Sequence, residues 1–456
     1  MSAERKYFGT DGIRGLVGKE PITPDFMVRL GYAAGRVFSK SKRSGNGQDV
    51  RVVIGKDTRL SGYMIEAALQ SGLSAAGANV FLSGPIPTPG VAYLTKALRL
   101  DAGIVISASH NPYKDNGIKI FSGDGVKLSD SLELEIESLI DEGVDSIESQ
   151  EVGKATRIHD AIGRYAEFCK GTFPREIDLK GINLIIDCAN GATYQVAKTV
   201  FEELGASVKL IGNEPDGRNI NDGCGALHPD FVKRHVLNEK ADLGITFDGD
   251  GDRLILVDSD GRVYDGDQLL YVLAKYRSCS KKGLDGVVGT LMTNLAVENA
   301  IRQSNIPFAR AAVGDRYVRE MLVEKKWTLG GEGSGHIICL DKHSTGDAII
   351  SALEVLAILR STQETLADRV KELTLYPQVL HNITLHEKLR PDQIEEIVTE
   401  GDRVSEKLGE DYRVLLRESG TEPLLRVMVE GRDLRVVEET VAQLTSSINA
   451  IIGQSQ

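Results

Sequence analysis

The chain has no cysteine pair at metal-ligand spacing. Its five cysteines, Cys169, Cys188, Cys224, Cys279 and Cys339, stand far apart, with no CxxC and no close histidine. This excludes a zinc site and reads as reduced thiols in a cytoplasmic protein. Positive charge is not in surplus either: 54 Lys and Arg against 66 Asp and Glu give a net charge of -12 over 456 residues. Nucleic acid and anionic lipid are repelled by such a chain unless a local patch is basic, so neither is an expected partner. Long apolar runs are missing as well. The longest, Ala348 to Leu359, contains Glu354 and falls short of the ~20 residues that cross a bilayer. The start, MSAERKYFGTDGIRG, lacks the apolar core of a signal peptide and already reads as structured sequence.

What the chain does have is a repeat. Helical stretches alternate with short apolar runs bounded by Gly, Asp and Asn, the pattern of βα units around a parallel sheet. GANVFLSG at 77–84 recurs as GASVKLIG at 205–212, and DAGI at 101–104 as DLGI at 242–245. A third, weaker copy runs through GVVGTL at 286–291, IPFARAAVG at 306–314 and the strand feeding GGEGSGH at 330–336. The expectation is three related α/β domains with mixed, mainly parallel sheets, over residues 1–157, 158–260 and 261–376. From 377 to 456, QVLHNITLHE, RVLLRESG and LLRVMVEG alternate like half-buried antiparallel strands, predicting a smaller C-terminal α+β domain.

In open α/β sheets ligands collect at the carboxyl ends of strands, so the loops there are compared chemically. In GIVISASHNPYKDNGIKIF, 103–121, a buried strand breaks into Ser107, Ser109, His110 and Asn111 before Pro112. It presents a hydroxyl, and spacing alone leaves Ser107 and Ser109 both open as the nucleophile. In TFDGDGDRLILVD the carboxylates Asp248, Asp250 and Asp252 alternate with glycines. Three converging carboxylates repel one another unless a hard cation such as Mg²⁺ sits between them. An EF-hand would need Gly and Glu where Arg253 and Ser259 stand. A phosphorylated serine needs cationic support, for which Arg253, Lys119 and the early Arg14 of FGTDGIRG are candidates. GGEGSGH offers Glu332, Ser334 and His336 to sugar hydroxyls and to a proton. RESGTEPLLRVMVEG brings Arg417, Ser419, the Gly420 backbone, Thr421 and Arg426 into a cradle for a phosphate dianion.

The order SASHNP, DGDGDR, GEGSGH and RESGTEP, with KYFGTDGIRG, GPIPTPGVAYLT and IDCANGATY between and before them, resembles the α-D-phosphohexomutase superfamily over nearly the whole chain. Within it the chain is similar to the bacterial phosphoglucosamine mutase family. The resemblance implies a four-domain heart shape around a central cleft. It implies that Ser109 is the phosphorylated serine, that Asp248, Asp250 and Asp252 bind one Mg²⁺ together with it, and that Glu332 and Ser334 read sugar hydroxyls. Arg417, Ser419, Gly420 and Thr421 would hold the substrate phosphate, while Lys119, His336 and Arg14 assist proton transfer and charge stabilisation. The implied reaction interconverts glucosamine 6-phosphate and glucosamine 1-phosphate through a sugar bisphosphate, with glucosamine or glucose 1,6-bisphosphate as activator. A cytoplasmic enzyme that acts on a small sugar phosphate and can form a homodimer is implied. The alternatives are phosphomannomutase/phosphoglucomutase with the same mechanism, a phosphatase, and a non-catalytic sugar-phosphate sensor.

Overall fold

The computed structural model describes residues 5–43, 49–145, 148, 151–280, 283–387, 389–418 and 423–453. A first sheet holds β1 (Ile13–Leu16), β2 (Arg51–Lys56), β3 (Asn79–Pro85), β4 (Ala102–Ile106), β5 (Asp115–Ser122) and β6 (Ala155–Arg157), in the order β1-β5-β4-β2-β3-β6. A second holds β7 (Asn183–Asp187), β8 (Ser207–Ile211), β9 (Leu243–Phe247), β10 (Leu254–Asp258) and β11 (Val263–Tyr264), ordered β11-β10-β9-β7-β8. Its edge strand β11 comes from just past Gly261. The third holds β12 (Val287–Thr290), β13 (Phe308–Ala311), β14 (Leu329–Gly331) and β15 (Ile337–Cys339), ordered β13-β12-β14-β15.

One plan underlies all three. A central strand (β2, β7, β12) has parallel neighbours on both sides, and one neighbour (β4, β9, β14) hairpins back into an antiparallel strand (β5, β10, β15). The repeats GANVFLSG and GASVKLIG are β3 and β8, and DAGI and DLGI open β4 and β9, so the repeated sequence maps onto equivalent strands. AGIVI of β4 and LGITF of β9 are buried along their whole length, as continuous apolar strands between helices must be.

The three α/β units are fused by one continuous core that runs from Val53 and Val91 through Tyr165, Phe201 and Phe247 to Leu273, Leu353 and Leu373. The last unit stands apart. Its antiparallel sheet, β16 (Gln378–Thr384), β17 (Tyr412–Glu418) and β18 (Leu424–Gly431) in the order β16-β18-β17, carries two helices and its own core around Val427, Val437 and Leu444. It joins the third unit through polar contacts: the Leu295 N–H donates to Glu430 at 3.2 Å and Arg413 Nη2 to the Thr293 carbonyl at 3.3 Å.

Candidate active site

The hairpin connecting the third and fourth strands of the shared plan is the same topological position in every unit, and it carries the serine, the aspartates and the sugar-loop residues in turn. Glycines let the three loops touch. A Cβ on Gly249 would lie 2.6 Å from the Ser109 carbonyl oxygen. Gly335, at φ +96°, would place one 2.3 Å from the Leu254 carbonyl, and its own oxygen accepts the Leu254 N–H at 3.0 Å. No side chain fits at either point.

Ser109 sits in the left-handed region at φ +51°, a conformation that costs a non-glycine residue energy and is common at functional sites. Its Oγ donates to Asp248 Oδ2 at 2.6 Å and lies 3.2 Å from His110 Nδ1. Ser107 takes a different part: its Oγ accepts the Ser109 N–H at 2.9 Å and donates to Asp57 at 2.6 Å. Of the two serines, Ser109 is the one whose hydroxyl meets the acidic loop.

Asp248, Asp250 and Asp252 are buried, and each turns an oxygen to within 4.8 Å of the other two. Asp248 Oδ1 accepts the N–H groups of Asp252 and Arg253 at 3.1 Å. Burial, with Asp252 and Asp250 close by, pushes the Asp248 carboxyl well above the usual carboxylate range. Burial acts on Asp252 in the same sense, but Lys119 and His336 hold it well below that range. Asp250 Oδ1 and Asp252 Oδ1 have no hydrogen-bond partner. Three buried carboxylates with oxygens within 4.8 Å of one another are the donor set of a hard divalent cation.

Lys119 lies within β5 opposite Val105 and is 2% exposed. Its Nζ donates to Asp250 at 2.9 Å and Asp252 at 3.2 Å, and pairs with Asp11 at 3.4 Å. Arg14, on β1, pairs with Asp11 too. Burial opposes a charge on His336, yet Asp252 at 3.6 Å, Asp315 at 3.7 Å and Glu332 raise its imidazole to about 9. Glu332 Oε1 accepts the Gly314 N–H at 3.0 Å.

These groups line a cavity of about 550 Å³ between the units, with Arg14, Ser109, Asp252, Arg253, Glu332, Ser334 and His336 on its walls. Lys119, Asp248 and Asp250 are not in the lining, but Asp248 meets Ser109 and Lys119 meets Asp252, which are. From the fourth unit only Gln378 reaches this lining among the described residues. Arg417 and Arg426 do not; they stand directly opposite each other on β17 and β18. Ser419, Gly420 and Thr421 lie outside the described residues.

Sequence reasoning missed the residues that hold the loops. Arg59, fully buried, donates to the carbonyls of Ser109, Asn111, Pro112 and Asp115 and to Asp57. Asn221 donates to the Ser109 carbonyl at 2.9 Å, and Thr88 Oγ1 to Asp250 at 2.6 Å. Asp11, Lys127 and Asp315 were not singled out either. The one available signal was Asp11 in the glycine-bounded FGTDGIRG.

Four family profiles match the chain in order: Phosphoglucomutase/phosphomannomutase, alpha/beta/alpha domain I over 5–146, domain II over 164–261, domain III over 265–376 and the C-terminal domain over 380–447. The phosphoglucosamine mutase of Azoarcus sp. (strain BH72) is 55% identical over 98% of this chain and 99% of its own length. That of Polynucleobacter asymbioticus is 58% identical over 95% and 96%. Among solved structures, a phosphoglucomutase/phosphomannomutase family protein from Burkholderia thailandensis superposes with a TM-score of 0.82 at 23% identity, covering 99% of both chains. The N-acetylphosphoglucosamine mutase of Aspergillus fumigatus, solved with GlcNAc-6P and magnesium, does so with a TM-score of 0.65 at 17% identity over 99% and 96%. Those two likenesses bear on the fold; the full-length identities carry the family. The chain belongs to the α-D-phosphohexomutases, among the phosphoglucosamine mutases.

Proposed function

We propose that the protein interconverts glucosamine 6-phosphate and glucosamine 1-phosphate, with Ser109 as the carrier of the transferred phosphoryl group and a glucosamine bisphosphate as the intermediate. The observation that carries this reading is the Ser109 hydroxyl on Asp248, inside a trio of buried carboxylates and at the wall of a cavity that also holds Glu332 and Ser334.

Ser109 Oγ is the leaving oxygen of the first step. The phosphoryl group passes from it to the free hydroxyl of the sugar phosphate, the P–O bond to serine breaking as that to the sugar forms. The proton lost by the sugar hydroxyl is balanced by one gained at Ser109 Oγ as the serine hydroxyl re-forms, and Lys119 and His336, both held cationic by neighbouring carboxylates, are the candidates to donate in that exchange. Arg14, Arg253 and Lys119 neutralise the moving group. The bisphosphate turns in the cleft, and its other phosphoryl group returns to Ser109. Glu332 and Ser334 read sugar hydroxyls, while Arg417 and Arg426, with 419–421, take the phosphate that does not react. A handle of this kind orients the distant reacting end. The separate core of the last unit and its polar seam to the third suit an opening that lets the intermediate turn.

Asp248, Asp250 and Asp252 would hold Mg²⁺, which supplies charge stabilisation at the serine oxygen. A trace of glucosamine or glucose 1,6-bisphosphate would load Ser109 at the outset.

The test is turnover of glucosamine, mannose and glucose 1-phosphates by the purified protein with a trace of bisphosphate. Preference for glucosamine 1-phosphate supports the reading. Preference for mannose or glucose phosphate assigns the phosphomannomutase/phosphoglucomutase alternative, and release of inorganic phosphate without isomerisation assigns a phosphatase.

A further inference from the structure

Six charged groups close a ring of alternating sign beside the cleft. Asp252 lies 3.2 Å from Lys119, Lys119 3.4 Å from Asp11, and Asp11 contacts Lys127. Lys127 lies 2.7 Å from Asp315, Asp315 3.7 Å from His336, and His336 3.6 Å from Asp252. All three α/β units contribute. Asp11, Lys119 and Lys127 come from the first, Asp252 from the second, Asp315 and His336 from the third. Arg14 is attached to the ring through Asp11.

Lys127 differs from the other five members. It neither pairs with the aspartate trio nor lines the substrate cavity itself; its ammonium pairs with Asp11 and Asp315, which do line it. It follows β5, on whose last residues it folds back through a bridge to Phe121, and Asp315 begins the helix Asp315–Lys325 of the third unit. Lys127 therefore clips the third unit to the first at a point where two carboxylates share one ammonium. Without that cation Asp11 keeps Lys119 and Arg14 and Asp315 keeps His336, but nothing stands between the two carboxylates at the seam, where like charges repel. Both would shift. Asp11 carries Lys119 and Arg14 with it, and Asp315 carries His336. Removing one partner from a buried ion cluster is destabilising, so stability has to be read beside the rate to separate a loss of geometry from a loss of folding.

We propose that Lys127 is a positioning residue for phosphoryl transfer: it fixes Asp11 and Asp315, and through them holds Lys119, Arg14 and His336 where the transferred group passes. The proposal rests on the mutase reading above.

The experiment uses full-length protein loaded with Mg²⁺ and phosphorylated on Ser109 by a sugar bisphosphate. Single-turnover transfer to glucosamine 6-phosphate is measured beside the substrate Kd and the melting temperature, for the native chain, Lys127→Met and Lys127→Arg. The expected result is transfer slowed about 10- to 100-fold in Lys127→Met, the cost of sub-ångström misplacement of reacting groups. Its Kd should change less than about threefold, and Lys127→Arg, which keeps the charge, should restore most of the rate. Native-like transfer by Lys127→Met overturns the proposal. So does a loss that is equal in the Arg variant, or one that disappears when the Met variant is stabilised by an osmolyte. A native protein that never passes phosphate from Ser109 to the sugar overturns the mutase reading, and this proposal with it.

Discussion

Arg59 Nη2 donates to the Ser109 carbonyl oxygen at 3.0 Å while its Nε donates to Asp57 Oδ2 at 2.8 Å. One fully buried guanidinium thus sets the backbone of the serine loop, and Ser107 closes the same network by donating to Asp57 and accepting the Ser109 N–H. The strained φ of Ser109 is held from behind by this network and from the side by Asn221. Arg59→Met leaves Asp57 buried without its counter-charge, which costs about 3–5 kcal/mol. The expected outcome is a lower urea midpoint together with a loss of Ser109 phosphorylation. Adding Asp57→Asn should recover much of the stability without recovering the activity. If the double variant is no more stable than Arg59→Met, the ion pair is not the reason for the loss.

The two serines of the loop separate cleanly by their bonds. Ser109→Ala removes the hydroxyl that donates to Asp248 and should lower turnover at least about 1,000-fold, with the melting temperature unchanged. Ser107→Ala removes one acceptor of the Ser109 N–H, a change expected to cost about tenfold. Intact mass after incubation with a sugar bisphosphate checks the assignment: the added phosphate should be absent from Ser109→Ala and present in Ser107→Ala.

The reach of sequence reasoning follows from distance along the chain. The third-to-fourth strand loops were legible because each packs its chemistry into a few adjacent residues framed by glycines, and β4 and β9 because unbroken apolar runs need two covered faces. The clamp on the serine loop was not. Arg59 stands 50 residues before Ser109, in DTRLSG, a stretch that reads as an ordinary helix start. The ring was hidden for the same reason: Lys127 meets Asp11 across 116 positions and Asp315 across 188. Only the shared strand plan, which stacks equivalent hairpins around one cavity, brings them together.

Metal removal gives a prediction with two readouts. The trio's oxygens gather within 4.8 Å of one another and Asp250 Oδ1 has no hydrogen-bond partner, so the folded chain should bind Mg²⁺ and the unfolded chain should not. EDTA should abolish isomerisation and Mg²⁺ restore it. In calorimetry, Mg²⁺ at 100 times its Kd should stabilise the chain by about 2.7 kcal/mol. This gain should vanish in Asp250→Asn. Full activity in chelator would remove the trio from the mechanism.

Asp187, at the end of β7, predicts a pH effect on folding away from the cleft. Burial pushes its carboxyl from 3.8 up to about 6, against hydrogen bonds from the Gly225 and Ala189 N–H groups and the Thr246 hydroxyl. Between those two values the folded chain keeps a proton that the unfolded chain has lost. The Asp187 contribution to stability therefore falls as pH rises through this window and is level above it. A shift of about two units corresponds to about 3 kcal/mol. Asp187→Asn cannot titrate, so it should gain on the native protein by up to that amount between pH 4 and pH 7 in urea unfolding. A difference between the two that stays constant with pH would show that Asp187 ionises at its ordinary value.

Arg417 and Arg426 face each other across β17 and β18, and like charges directly opposite on a sheet repel. Burial and Arg426 together lower the affinity of Arg417 for its proton. A phosphate dianion lying across the two guanidinium groups removes the conflict through charge-assisted hydrogen bonds, which is a reason for a sheet to tolerate the arrangement. Two consequences differ in sign. Arg417→Ala relieves the repulsion, so its melting temperature should equal or slightly exceed that of the native chain. In the proposed role Arg417 also supplies half of the phosphate handle, so the KM for glucosamine 1-phosphate should rise about 10- to 100-fold. A fall in melting temperature that tracks the loss of activity would make Arg417 a structural residue of the last unit, and an unchanged KM would put the phosphate elsewhere.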